Sequence, residues 1–201
     1  MIICCTSSKG GSGKSTVSLF LSKYLAFKGY RVLLYSSDLS AVLPLEQGTL
    51  NYEVSVEIKS FPQVSTLLQD VEQTKTPHTV HIVDLKDPLQ FEPLEVLELS
   101  NLIVIPSPPT ALSIQSSLVF LSYLKELELH HKVRVLYNHC NIHRKYSQIK
   151  TMEKHIQGKV QIIKQTLPSL ALLEHIALLP LSEEEFRILE PVFSPIYSLI
   201  K

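Results

Sequence analysis

Residues 6 to 16 read Thr-Ser-Ser-Lys-Gly-Gly-Ser-Gly-Lys-Ser-Thr: three glycines, two lysines and a row of hydroxyls directly after a short apolar run. A loop that holds phosphate needs glycines, so that consecutive backbone N–H groups can converge on oxygens with no Cβ in the way. It also needs a lysine to neutralise the β- and γ-phosphates, and a hydroxyl at the start of the next helix for Mg²⁺. Gly10, Gly11, Gly13, Lys14 and Ser15 supply all of these. The strict pattern G-x-x-x-x-G-K-[ST] fails at its first position, which is Ser8. The loop instead carries a second lysine, Lys9, directly before the paired glycines. A glycine turn that only joined a strand to a helix would require neither lysine.

Such a loop works only where a strand feeds it and a helix leaves it, and the flanking residues fit. "IICCT" (2 to 6) reads as a buried strand. "GKSTVSLFLSKYLAFKG" (13 to 29) places Val17, Phe20, Leu21, Tyr24, Leu25 and Phe27 mainly on one side of a helix that stops at Gly29. "RVLLYSS" (31 to 37) completes a βαβ unit. Further on, "YEVSVEIK" (52 to 59) alternates apolar and polar residues, the signature of a half-exposed edge strand. "TVHIVD" (79 to 84), "NLIVIP" (101 to 106), "KVRVLYN" (132 to 138) and the short "KVQIIKQ" (159 to 165) are further strands. Helical spacing fills 63 to 73, about 89 to 99, and 110 to 129. From Ser182 the run "SEEE" predicts a capped, acidic first turn of a closing helix. Strands alternating with helices make this an α/β fold, a doubly wound, mainly parallel sheet flanked by helices, read as one domain over 1–201.

At 201 residues and 45% hydrophobic side chains, the chain can bury one sizeable core. Nineteen basic residues balance nineteen acidic ones, so net charge selects no partner. The distribution is uneven: residues 125 to 164 hold nine Lys and Arg against three Glu, while acids dominate from Asp38 to Glu98. Cys4, Cys5 and Cys140 are an odd number, with two adjacent in an apolar run, and read as reduced thiols of a cytoplasmic protein. No signal peptide and no apolar run of bilayer length is evident.

"KGGSGKST" resembles the deviant Walker A motif of the ParA/MinD superfamily of ATPases, P-loop NTPases of this same α/β architecture. "TVHIVD" resembles the family's Walker B strand ending in Asp84, and "NLIVIPSPPTALSI" its next strand, Pro-containing loop and helix. "VRVLYNHC" is similar to a strand whose terminal Asn contacts adenine. The resemblance is strongest to small ParA-type partition proteins. It implies ATP or ADP with Mg²⁺ as ligands: Lys14 on the β- and γ-phosphates, and Ser15 with Asp84 holding the metal. Residues Gly10, Gly11, Ser12, Gly13 and Thr16 would cradle the phosphates, with Asn138 at the base. Lys9, the signature lysine, would reach across a two-fold interface to the partner's phosphates, so that ATP closes a homodimer. A cognate ParB-like centromere-binding protein and nonspecific DNA are the implied partners, in a cytoplasmic, nucleoid-associated protein that does not bind membrane.

One departure bears on catalysis. The family usually carries Asp-x-Asp-Pro-Gln after the second strand, and this chain has "SSDLS" (36 to 40). Asp38 matches the second aspartate, Ser36 replaces the first, and hydrolysis is expected to be slow or dependent on a stimulating partner. A hydrolysis-deficient nucleotide-binding scaffold is the alternative, as is a MinD-like positioning ATPase. The latter needs a basic amphipathic helix, and "EPVFSPIYSLIK" is expected to be broken by Pro191 and Pro195. His139, Cys140 and His143, with His130 and His131 before them, read as loop and surface residues, since no second cysteine pair completes a metal set. Asp87 before Pro88 reads as a helix cap. Arg144, Lys145, Lys150 and Lys154 suit either a solvated helix or a grip on phosphate backbones.

Overall fold

The computed structural model describes residues 1–36, 56–60, 63–74, 76–86, 91–141, 146–156, 158, 160–168 and 181–201. Seven apolar segments form strands: β1 (Ile2–Thr6), β2 (Arg31–Ser36), β3 (Val56–Ser60), β4 (Thr79–Leu85), β5 (Leu102–Ser107), β6 (Val133–Tyr137) and β7 (Gln161–Ile163). They pair in the order β3-β2-β4-β1-β5-β6-β7, every pairing parallel. The doubly wound parallel sheet expected from the sequence is therefore present, and all seven strands end on the same edge.

The helices are α1 (Lys14–Phe27), α2 (Val64–Gln73), α3 (Phe91–Leu99), α4 (Ala111–Glu126), α5 (Ser147–Ile156) and α6 (Glu183–Tyr197). A central parallel strand is covered on both faces and so must be apolar at every position. In β1, Ile3 and Cys5 join one core with α1 and α6, while Ile2 and Cys4 join a second core with α2 to α5. The expected edge strand is β3, whose side chains are only partly covered; its first residues, 52 to 55, lie outside the described residues. Among the described residues, no helix is long and apolar enough to cross a membrane.

Two local expectations change. Phe27 was placed with the core-facing residues of the first helix, yet it is 44% exposed. Residues Val17 to Leu21 already bury α1 nearly all round, and Phe27, at its last turn, lies beyond the sheet and stacks on Phe186 at 4.4 Å. The closing helix, expected to break, runs through Pro191 and Pro195. Both prolines sit on the exposed side, where the carbonyls left without a helical donor can be solvated. The opposite side buries Leu189, Val192, Phe193 and Ile196 against the sheet and α1. A capping box starts the helix as the sequence implied: Glu185 N–H donates to Ser182 Oγ, and Ser182 N–H to Glu185 Oε2 at 2.7 Å. Lys28, just past α1, lies 4.8 to 5.6 Å from the ring centres of Phe186, Tyr197 and Tyr24 and pairs with Glu190 at 3.1 Å.

On the other face His81, 1% exposed on β4, lies between Tyr35 and Thr74, with ring-nitrogen contacts of 3.3 Å to each hydroxyl. Tyr35 and Lys59 both donate to Asp70. Burial above all, with the N-terminal charge, holds the His81 imidazole down to about 4.

Two stability predictions result. Between pH 6.5 and 4 the unfolded chain takes up a proton at His81 that the folded chain refuses, so stability falls as pH drops through that window. The loss is roughly 2 kcal/mol at pH 5, and His81→Gln flattens the pH dependence of the urea midpoint there. Pro191→Ala supplies the missing donor to Arg187 O and raises stability by about 1–3 kcal/mol in the same assay.

Candidate functional site

The carboxyl edge of the sheet gathers the residues singled out above. β1 delivers Thr6 to the edge, and the loop 7 to 13 turns back into α1. Gly11 (φ +70°) and Gly13 (φ +87°) adopt left-handed backbone that other residues rarely take. Gly13 is also the first residue before α1, which has neither a side-chain cap nor an acid in its first turn. No side chain within the helix itself therefore offsets the positive end of its dipole. A Cβ added at Gly10 or Gly11 would meet nothing within 4 Å, so the space in front of these peptides is open.

The loop is tied internally by hydroxyls. Ser7 Oγ donates to the Lys9 carbonyl at 3.1 Å and shares a hydrogen bond with Ser12 Oγ, which is 2% exposed. Lys14 Nζ donates to the same Lys9 carbonyl at 3.3 Å. Lys9 points the other way, with its Nζ donating to Ser113 Oγ at 2.9 Å in the first turn of α4. Ser113 N–H in turn donates to its N-cap, Thr110 Oγ1. Ser8 is held to α4 as well, through Ser116 Oγ at 2.8 Å and the Ser116 carbonyl. The two lysines thus serve different walls of one cup: Lys14 its floor, Lys9 the side built by α4.

Asp84 lies beside this floor. Sheet register sets Cys5 of β1 on one side of it and Ser36 of β2 on the other. Ser36 Oγ donates to Asp84 Oδ2 at 2.9 Å, and the Ser15 hydroxyl also hydrogen-bonds the carboxylate. Burial, at 1% exposure, pushes the Asp84 carboxyl above its usual range, opposed by those hydroxyls and by Lys14 and Lys86. A carboxylate next to a helix-start hydroxyl is an oxygen donor pair of the kind that holds Mg²⁺ in phosphate sites, so the residues fit that ion. Ser36 was noted in the sequence only as the replacement of an acid. Its hydroxyl instead supports the remaining carboxylate from a neighbouring strand.

Asn138, at the end of β6, is 2% exposed and lies under the loop: Nδ2 donates to the Ser12 carbonyl at 3.0 Å, and Oδ1 accepts His139 N–H at 2.8 Å. Lys9, Gly10 to Thr16, Asp84 and Asn138 are therefore together. Asp38 and Asp87 lie outside the described residues, as do His143, Arg144 and Lys145. Sequence reading missed Thr110, Ser113 and Ser116, three hydroxyls on one helix start. The signal was there in "PPTALSIQSS", whose hydroxyl spacing brings positions 113 and 116 to one side of a helix.

Comparison with known proteins bears on the fold and the family. Residues 3–177 match the CobQ/CobB/MinD/ParA nucleotide binding domain family. The protein ParA of Rhizobium radiobacter is 28% identical over 111 residues, 55% of this chain, and the chain spans about half the length of that curated relative. Among solved structures, the MinC:MinD cell division complex of Aquifex aeolicus superposes with a TM-score of 0.74 at 19% identity, covering 98% of this chain and 96% of that one. A plasmid partition protein of Borrelia burgdorferi B31 bound to AMPPNP gives 0.66 at 17%, covering 98% of each chain. A family match that covers residues 3–177, most of the chain, places this protein in the CobQ/CobB/MinD/ParA family of nucleotide-binding domains.

Proposed function

We propose that this protein is a ParA-like partitioning ATPase in which residues 1–201 act as one switch domain. The observation that carries the reading is the pair of lysines on one glycine loop, with Lys14 turned to the floor of the cup and Lys9 to the α4 wall. Lys14 binds the β- and γ-phosphates, and the N–H groups from Gly10 to Thr16 surround the phosphate oxygens. Ser15 and Asp84 hold Mg²⁺, which when bound supplies charge neutralisation at the β- and γ-phosphates. Lys9 leaves Ser113 to reach the nucleotide of a second copy, so that ATP favours the dimer. Asp38 orients the attacking water. Ser36 is neutral where the family has an acid, which supports slow hydrolysis or, at the extreme, a hydrolysis-deficient scaffold.

The dimer then binds DNA without reading sequence, and a ParB-like partner stimulates hydrolysis and release in the cytoplasm, on the nucleoid. The charge distribution supports the DNA step. Lys125, Lys150, Lys154 and Lys164 are exposed, Lys132 and Arg134 half-buried, and none forms an ion pair among the described residues. Unpaired cations of this kind gain by displacing counterions from phosphate backbones, and dimerisation doubles their number. A MinD-like membrane role is less well supported because α6 commits its apolar face to the core.

Light scattering without nucleotide, with ADP and with a nonhydrolysable ATP analogue tests the switch. The parent is expected to dimerise only with the analogue. Lys14→Ala should lose nucleotide affinity about a hundredfold and stay monomeric. Lys9→Ala should keep binding nucleotide yet also remain a monomer. A Lys14→Ala variant that dimerises and binds DNA with ATP as tightly as the parent sinks the proposal.

A further inference from the structure

Strands β1, β5 and β6 begin side by side on the sheet edge opposite the glycine loop. Ile2 and Asn101 lock two of those starts: Asn101 N–H donates to the Ile2 carbonyl at 2.9 Å, and Ile2 N–H donates to Asn101 Oδ1 at 2.8 Å. Over them lies a cleft of about 630 Å³, within the range of roughly 300–1,000 Å³ that ligand sites occupy. Its walls come from the end of α3 (Glu98, Leu99), the chain entering β6 (Lys132, Arg134) and Leu199, just past α6.

One wall is apolar and one is cationic. Leu99 and Leu199 are 40% and 46% exposed, so the cleft keeps apolar surface open to water. Lys132 Nζ donates to the Glu98 carbonyl at 2.8 Å, which meets the negative end of the α3 dipole and leaves Arg134 as the surplus cation. Arg134 is half-buried, and its Nη1 donates to the carbonyls of Val133 at 2.9 Å and His131 at 3.4 Å. Backbone thus holds the guanidinium in place, while its Nε and Nη2 donors make no hydrogen bond among the described residues. Glu98, the acid of this rim, is exposed and pairs with neither cation among those residues. Burial draws Arg134 below its usual range, the mark of a cation desolvated without a counter-charge.

We propose that this cleft binds an acidic, leucine-bearing segment of a partner protein: a carboxylate takes the open Nε–Nη2 edge of Arg134, and an apolar side chain lies against Leu99 and Leu199. A carboxylate matches that edge with paired N–H···O bonds. A bare phosphate would leave the leucines wet, and a purely apolar ligand would strip water from Arg134 without replacing its bonds. A chain that alternates acidic and apolar side chains meets both demands, with arginine as the anchor. The site lies on the edge away from the phosphate loop, so it stands apart from the nucleotide reading.

The test follows fluorescence anisotropy of a short fluorescein-labelled peptide of alternating glutamate and leucine at physiological ionic strength. Two control peptides replace its leucines by serine or its glutamates by glutamine. The parent is expected to bind the glutamate–leucine peptide at least about tenfold more tightly than either control. Arg134→Gln should lose about tenfold, and Leu199→Ser, with thermal melting and ADP affinity unchanged, about fivefold. Equal binding of the serine control means a bare anion site, equal binding of the glutamine control means an apolar groove alone, and each overturns the inference. So does a parent that binds none of the peptides, or a DNA duplex that displaces the labelled peptide more readily than unlabelled peptide does. Should Arg134→Gln fail to fold, the Arg134 Nε–H resonance of the parent decides: it is expected to shift when the glutamate–leucine peptide is added, and an unmoved resonance overturns the inference.

Discussion

Backbone amides can surround an anion only where the chain bends with no side chain in the way and no carbonyl turned into the gap. Everything else at the carboxyl edge answers to that requirement. Gly11 and Gly13 supply the left-handed bends, Ser7 and Lys14 hold the Lys9 carbonyl, and Asn138 holds the Ser12 carbonyl from below. Each of these bonds turns a carbonyl away and leaves donors facing the open side. The first helix adds its uncapped N-terminus, and the parallel sheet places Asp84 and Ser36 at the same level. An antiparallel sheet would divide these strand ends between two edges.

The electrostatics of the edge form a second layer. Two lysines and a helix start raise the positive potential there, while one buried carboxylate, supported by Ser15 and Ser36, stands against them. Ser36 sets a neutral hydroxyl beside Asp84, so β2 adds no negative charge at that point.

Legibility in the sequence followed the range of the interaction. Strands buried on both faces, such as β1, β4 and β5, are continuous apolar runs and were found to within a residue or two. The glycine loop was visible because its donors are consecutive in the chain. The contacts that complete the site join residues 48, 104 and 126 positions apart: Ser36 with Asp84, Lys9 with Ser113, and Asn138 with Ser12. Register and crossover decide such pairs, and no local pattern carries them. The prolines of α6 misled for a related reason. Local preference argued for a break, but Leu189, Val192, Phe193 and Ile196 gain more by packing as one helical side than two lost hydrogen bonds cost on the wet side.

The ring-enclosed ammonium of Lys28 has a mechanical meaning for the opposite end of its helix. Glu190 and the rings of Tyr24, Phe186 and Tyr197 pin the tail of α1 to α6, while the glycine loop forms its head. A helix transmits axial force as a stiff rod, so a piston-like shift of the loop would have to drag the last helix with it. The contacts of Lys28 resist such a shift, which leaves peptide rotations and side-chain swings as the softer response at the head.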